Sequence, residues 1–175
     1  MPEHIEEYLI ALEEREDSGG RVIDSRTLSQ PIRLLLPRSP LSVAPGATLR
    51  DAVGIMREHH VGCVLVVDGG RLVGILTERD LLLKAEIADL AGDVASFMTP
   101  NPETLRLDDP IVWALNRMGV GGYRHVPLVD EDDRPVGIVS VKDIVHYLVA
   151  LFPNEVLTLP PDPNRADAWN ERDGA

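Results

Sequence analysis

Gly74-Ile75-Leu76-Thr77-Glu78-Arg79-Asp80 and Gly137-Ile138-Val139-Ser140-Val141-Lys142-Asp143 are two versions of one pattern. Each runs through apolar, β-rich residues that include a glycine, to a hydroxyl residue with an aspartate three positions later. A hydroxyl followed at that spacing by a carboxylate marks the first turn of a helix, so each stretch predicts a strand passing directly into a helix. Outward from the pair, residues 36–67 match residues 98–129 at a constant offset of 62. Pro40 falls on Pro102, Val43 on Leu105, Ala52 on Ala114, Met56 on Met118 and Val67 on Val129. After Asp68 and Asp130 the second copy gains one residue and the offset becomes 63, aligning Gly74 with Gly137, Thr77 with Ser140 and Asp80 with Asp143. One insertion, in a turn, is what a duplicated unit tolerates.

Periodicity changes in the same order within each copy. Thr48 with Asp51 predicts a capped helix whose apolar stripe is Leu49, Ala52, Val53 and Met56, and Asp109-Pro110 opens the equivalent helix with proline at its first position. Next comes a β-rich run, Cys63 to Val67, the turn Asp68-Gly69-Gly70, and a return run, Leu72 to Leu76. Copy two reads Val126 to Val129, a charged turn Asp130 to Arg134, and Val136 to Val139. A last helix follows each hairpin, from about Glu78 and about Val141, with Leu81, Leu82 and Ile144, Val145, Leu148 available to pack on the sheet. A copy of roughly 55 residues with few aromatics buries too little surface alone, so the two should pack together. The division expected is an acidic N-terminal helix and connector over 1–33, repeats over 34–90 and 91–152, and an extended or disordered Pro- and Asp-rich tail over 153–175.

Composition removes several function classes. A net charge of −12 opposes sequence-independent binding to nucleic acid and docking on anionic lipid, because both require excess Lys and Arg. The single cysteine, Cys63, excludes an internal disulfide and a zinc cluster, and fits a reducing cytoplasm. The N-terminus is acidic rather than a basic segment followed by an apolar run, and no apolar stretch reaches the roughly 20 residues of a membrane span. Secretion and membrane insertion are not expected.

The two turns admit two readings. As helix caps, Thr77 with Asp80 and Ser140 with Asp143 satisfy backbone N–H groups and the positive helix end. As a ligand site, the same hydroxyls and free N–H groups meet a phosphate while the carboxylate accepts from the vicinal hydroxyls of a ribose, and the glycine permits close approach. His59-His60 diverge at a helix end and read as a cap or solvated corner rather than a metal site. Cys63 reads as an inert buried hydrophobe. Trp113 beside Val112 reads as core or as a contact between copies of the chain. No nucleophile-base-orienter set and no phosphate loop of the Gly-Lys-Ser/Thr kind is present, which argues against an enzyme.

Taken with Phe97-Met98-Thr99-Pro100 ahead of copy two and Tyr123-Arg124-His125-Val126-Pro127-Leu128-Val129-Asp130 in its first hairpin strand, the duplicated turns resemble the cystathionine-β-synthase (CBS) domain family in its paired form, the Bateman module. The resemblance covers roughly residues 34–152. It implies an α/β (α+β) fold, a tandem pair of β-α-β-β-α units with pseudo-twofold symmetry, here preceded by the N-terminal helix. It implies two clefts between the copies, in which family members bind AMP, ADP, ATP, S-adenosylmethionine or related molecules, with Ser/Thr on phosphate and Asp on ribose. Carried over, one cleft would use Ser140, Asp143, Ile138 and Arg124, with Leu41, Val61 and Cys63 around the base. The other would use Thr77, Asp80 and Ile75, with Thr99 and Tyr123 or His125. Arg79, Lys142 and Arg124 are candidates to meet phosphate charge. Copy one departs from the pattern, having Leu36-Pro37 where copy two has Met98-Thr99, which removes a hydroxyl from the cleft of Ser140 and Asp143. That cleft is expected to stay empty or to prefer another ligand. No catalytic residue, metal or cofactor is expected. The implied partners are an adenosine-type small molecule, a second copy through the CBS helices, and a regulated protein; the other reading is a ligand-free structural or interaction module.

Overall fold

The computed structural model describes residues 25–84 and 87–151. The expected helix over 1–17 and the tail after Phe152 lie outside the described residues. In chain order the elements are α1 (Ser25–Leu28), a 3-10 turn (Ile32–Leu35), β1 (Ser42–Val43), α2 (Leu49–Glu58), β2 (Cys63–Asp68), β3 (Arg71–Thr77) and α3 (Glu78–Lys84). Copy two continues through 3-10 turns (Ile87–Ala91, Val94–Ser96), β4 (Thr99–Pro100), α4 (Ile111–Gly119), β5 (His125–Val129), β6 (Pro135–Ser140) and α5 (Val141–Leu151). One compact unit, Val22–Ile144, contains all the strands; residues 145–151 of α5 belong to a second unit.

Turn chemistry fixes the hairpins. Gly69 and Gly70 sit at φ 55° and 83°, the left-handed values a two-residue hairpin turn demands, and Asp68 pairs with Arg71 across them. In copy two the longer turn is held by Asp130, whose Oδ1 accepts from the backbone N–H of Asp132 and of Arg134, both at 2.9 Å. Both hairpins shift register at the same place in the repeat, between Val66 and Val67 and between Leu128 and Val129.

The strand β2 is buried on both faces, and residue parity separates two layers. Val64 and Val66, with Leu76 of β3, pack against Leu49, Ala52 and Met56 of α2. Cys63, Leu65 and Ile75 face the other way, where Ile138 of β6 packs against them. The capping box of α2 forms as expected: Asp51 N–H donates to Thr48 Oγ1 at 3.2 Å and Thr48 N–H to Asp51 Oδ2 at 3.3 Å. In copy two Pro110 stands one position earlier than expected, as the N-cap of α4 rather than its first residue.

The duplication extends further back than residue 36. Ile32 N–H donates to Asp109 O, Arg33 to Leu107 O, and Ile111 to Gln30 O; at the offset of 62, Val94 donates to Ala47 O, Ala95 to Pro45 O, and Leu49 to Gly92 O. Each arm is therefore bonded to the other copy's helix-opening loop. Strand pairing repeats the exchange, since β4 pairs with β3 while Arg38 bridges Ile138 of β6. The parallel pair Val43 with Val66 likewise has its counterpart in Leu105 with Leu128. Some packing expectations fail. Leu82 is 85% exposed and Val145 48% exposed, whereas Leu81 packs against the copy-one core, Ile144 is buried and Leu148 half-buried. Trp113 is 51% exposed and is not a core residue, since Ile111 and Ala114 occupy the buried face of α4.

Candidate ligand-binding clefts

The cap geometry is realised in both turns. Thr77 N–H and Oγ1 donate to Asp80 Oδ2 at 3.0 and 2.6 Å, and Asp80 N–H returns a bond to Thr77 Oγ1 at 3.3 Å. Ser140 N–H and Oγ reach Asp143 Oδ2 at 2.6 and 2.7 Å, and Asp143 N–H reaches Ser140 Oγ at 3.4 Å. The first helical N–H is also occupied in each copy, Glu78 by Gly62 O at 3.0 Å and Val141 by Arg124 O at 3.2 Å. These helix starts therefore offer an anion fewer free N–H groups than the sequence suggests. The glycines have a packing reason: a Cβ at Gly74 would run into Met98 Sδ, and one at Gly137 would lie 3.2 Å from Pro37 Cβ and from Leu128 Cδ1. It is the exchanged arm that comes close there.

The same turns border two cavities lined by both copies. The Asp143 cleft, about 360 Å³, is lined by Arg38, His60, Val61, Gly62, Cys63 and Glu78 on one side and by Arg124, His125, Ser140, Val141, Lys142 and Asp143 on the other. Of the residues carried over to it, Ser140, Asp143, Arg124, Val61 and Cys63 are present. Leu41 and Ile138 are not, because Leu41 packs into the copy-one core and Ile138 into the layer between the copies. The Asp80 cleft, about 340 Å³, gathers Ile75, Thr77, Asp80, Thr99, Tyr123 and His125 as expected, with Arg79, Arg124, Pro100, Asn101, Pro102, Glu103, Gly121 and Gly122. The sequence reading missed Arg38, His60 and Glu78; Arg38 had a signal, since it matches Pro100 beside the Met98-Thr99 arm.

Electrostatics separates the clefts. Three guanidinium or ammonium groups, Arg38, Arg124 and Lys142, face two carboxylates, Glu78 and Asp143, in the first; Arg79 and Arg124 are balanced by Asp80 and Glu103 in the second. Asp80 Oδ1 is engaged as well as its Oδ2, taking Lys84 Nζ at 2.6 Å and Thr99 Oγ1 at 3.0 Å. Burial pushes the Asp80 carboxyl up, but Lys84, Thr77 and Thr99 outweigh it and hold it below the usual range. His125 lines both clefts; burial and Arg124 keep its imidazole below the ordinary histidine value, against the pull of Asp143 and Glu78. Burial, with Glu78 adding to it, pushes the Cys63 thiol up to about 12, so no thiolate nucleophile exists there near neutrality. His59 caps the end of α2 and His60 turns at φ 52°, both exposed, as a solvated corner would be. Among the described residues no cluster of His, Cys, Asp or Glu could hold a metal ion, and no helix is long and apolar enough to cross a membrane.

Known proteins are similar to this chain in sequence and in fold. A 17.7 kDa protein of Acidianus ambivalens is 34% identical over 108 residues, 61% of this chain and 66% of its own length. The L-aspartate semialdehyde sulfurtransferase of Methanocaldococcus jannaschii is 32% identical over 137 residues, 76% of this chain but only 26% of that protein. Among solved structures, the CBS domain pair of protein MJ0100 in complex with 5′-methylthioadenosine and S-adenosyl-L-methionine superposes with TM-score 0.62 at 28% identity, over 67% of this chain and 94% of that one. CBSX2 in complex with AMP gives 0.57 at 25%, over 65% and 91%. The CBS domain family matches residues 35–86 and 91–150, one match on each copy. With the duplication, the exchanged arms and the paired clefts, these matches make the chain a member of the CBS domain family, carrying two CBS domains in tandem.

Proposed function

We propose that this chain is a regulatory module that binds an adenosine-containing ligand, AMP, ADP, ATP or S-adenosylmethionine, in the clefts between its repeats and signals its occupancy to a partner protein. The observation that carries the reading is the composition of the Asp143 cleft. It sets a carboxylate suited to a ribose diol beside Arg38, Arg124 and Lys142, suited to phosphate, in a cavity large enough for a nucleotide. Related CBS pairs hold AMP or S-adenosylmethionine, which supports the ligand class. Ligand binding can change what a partner sees only through unequal affinity for two arrangements of the copies, and a cleft lined by both has the means to discriminate them. We read the chain as non-catalytic, because Asp80 and Asp143 border separate clefts and do not form an acid–base pair. The exposed Val112 and Trp113 of α4 and Leu82 and Leu83 of α3 support a homodimer through these helices, and composition supports a cytoplasmic setting.

Thermal unfolding of the purified protein against AMP, ADP, ATP, S-adenosylmethionine and NAD tests the reading. At a hundredfold excess over Kd a native-state ligand stabilises by about 2.7 kcal/mol, worth roughly 2–4 °C per kcal/mol for a chain of this size. A shift with an adenosine ligand, lost on mutation of the carboxylate that holds it, is expected. No shift with any of them would overturn the reading in favour of a ligand-free interaction module.

A further inference from the structure

The two aspartates differ in what already occupies them. Asp80 accepts on both oxygens, Oδ2 from Thr77 and Oδ1 from Lys84 Nζ and Thr99 Oγ1. A carboxylate offers about four lone-pair sites, so none is left for a ligand. Lys84 Nζ is itself anchored, donating to Phe97 O at 3.1 Å and Met98 O at 3.4 Å, both on the arm that carries Thr99. Among the described residues Asp143 accepts only from Ser140, and only on Oδ2, and its Oδ1 has no partner. The asymmetry is written in the sequence. At the repeat offsets, Pro37 stands where Thr99 does and Tyr147 stands where Lys84 does, so Asp143 lacks the equivalents of both groups that fill Asp80.

We propose that Lys84, although it does not line the cavity, is an internal occupant of the Asp80 carboxylate: Asp143 accepts the vicinal diol of a nucleoside directly, whereas Asp80 can do so only after Lys84 is displaced. The proposal rests on the adenosine-binding reading and adds which cleft fills first and what closes the other. A diol entering at Asp143 breaks no protein bond. At Asp80 it must replace a charge-assisted 2.6 Å bond to a carboxylate whose side chain is only 10% exposed, with neutral hydroxyl donors that are weaker partners. The missing hydroxyl at Pro37 thus opens the Asp143 cleft rather than disabling it.

Isothermal titration of the full chain with AMP decides the point, using the native protein, Lys84→Met, Lys84→Gln, Asp80→Ala and Asp143→Ala, with thermal unfolding as the folding control. Lys84 is 42% exposed at the end of α3, so either replacement should fold. The native protein should bind one AMP, lost in Asp143→Ala and kept in Asp80→Ala. Either Lys84 variant should gain a second site, at least tenfold tighter than any second site in the native chain and removed by adding Asp80→Ala. Two equal sites in the native protein, or loss of its binding in Asp80→Ala alone, would overturn the proposal. If the native chain binds no AMP but the Lys84 variants bind one at Asp80, the internal occupant stands and the reading of the Asp143 cleft falls. If the folded Lys84 variants gain no site, the proposal is wrong whatever the native chain does.

Discussion

Removing Asp80 should destabilise the ligand-free protein more than removing Asp143, although the two belong to the same pattern. Each substitution by alanine deletes a reciprocal cap, worth about 1 kcal/mol. Asp80→Ala also strands Lys84 Nζ and Thr99 Oγ1. A hydrogen bond to a charged group contributes about 1.5–3 kcal/mol, but Lys84 is 42% exposed and recovers water, so we take the lower end. The expected losses are about 1 kcal/mol for Asp143→Ala and about 2–3 kcal/mol for Asp80→Ala. In urea the midpoints should separate with unchanged m-values, since neither substitution alters the surface exposed on unfolding. In a Lys84→Met background the part of the excess that belongs to Lys84 must vanish, leaving only what Thr99 contributes. The whole excess should also vanish in acid. The folded Asp80 carboxyl is held below its ordinary 3.8, so its contribution is present above that value and disappears as pH falls through the folded one. Equal losses at neutral pH, or a larger loss at Asp143, would refute the claim that the two capped turns differ in their partners.

Other outcomes follow from single features. Arg124→Ala should weaken AMP at least tenfold more than adenosine in titration calorimetry, because Arg124 lines both clefts and is proposed to meet the phosphate charge. Cys63 should resist a thiol reagent at pH 8 in the native protein and react on unfolding, since its thiol is buried and pushed up to about 12. Gly121→Ala should lower stability by about 1–3 kcal/mol in urea, because the new Cβ would lie 2.6 Å from the backbone oxygen of Arg117, which cannot step aside as a side chain would. Stability should fall as pH drops below 6.5, measured as a change in unfolding midpoint that His125→Gln removes. The folded imidazole is held below its ordinary value, so the unfolded chain binds the proton more readily in that window.

The elements were legible where spacing alone determines them. Thr48 with Asp51 announces α2, Gly69-Gly70 announces the first hairpin, and the starts of α3 and α5 at Glu78 and Val141 follow from the hydroxyl-to-aspartate spacing. Pairing between distant segments leaves no such trace. Nothing in Ile32 or Arg33 says that their N–H groups bond to Asp109 and Leu107 rather than to copy one, so the exchanged arms emerge only from the structure. The same limit separates Leu81, which packs into the core, from Leu82, which is exposed, on a seven-residue helix too short to display a clear stripe. At the site, residue types were readable and their availability was not. Both turns spell a carboxylate beside a hydroxyl, but whether that carboxylate is free depends on Lys84 and Thr99. The i,i+4 spacing of Asp80 and Lys84 hinted at the first and could not show the second.

The exchanged arms also bear on how occupancy of a cleft could reach a partner. Residues 98–100 leave copy two's chain to pair with β3 of copy one, and Arg38 bridges back to β6. A rotation of one copy against the other therefore moves Thr99 relative to copy two and Arg38 relative to copy one. Thr99 lies on the Asp80 cleft and Arg38 on the Asp143 cleft, so each cavity has one wall that reports the relation between the copies. Arg38 and Asp143 stay together in such a rotation, so a ligand held by them favours one arrangement only through what it also touches on the copy-one wall, Val61 and Cys63 among it. The gain is bounded by what that wall adds: a contact worth about 1.4 kcal/mol shifts the balance of two arrangements tenfold and no further. Val61→Ala should then leave AMP bound through Asp143 while reducing its influence on the geometry between the copies. Equal distance changes on AMP addition in the native and Val61→Ala proteins, read by paired spin labels on exposed residues of α2 and α4, would show that this wall is not the lever.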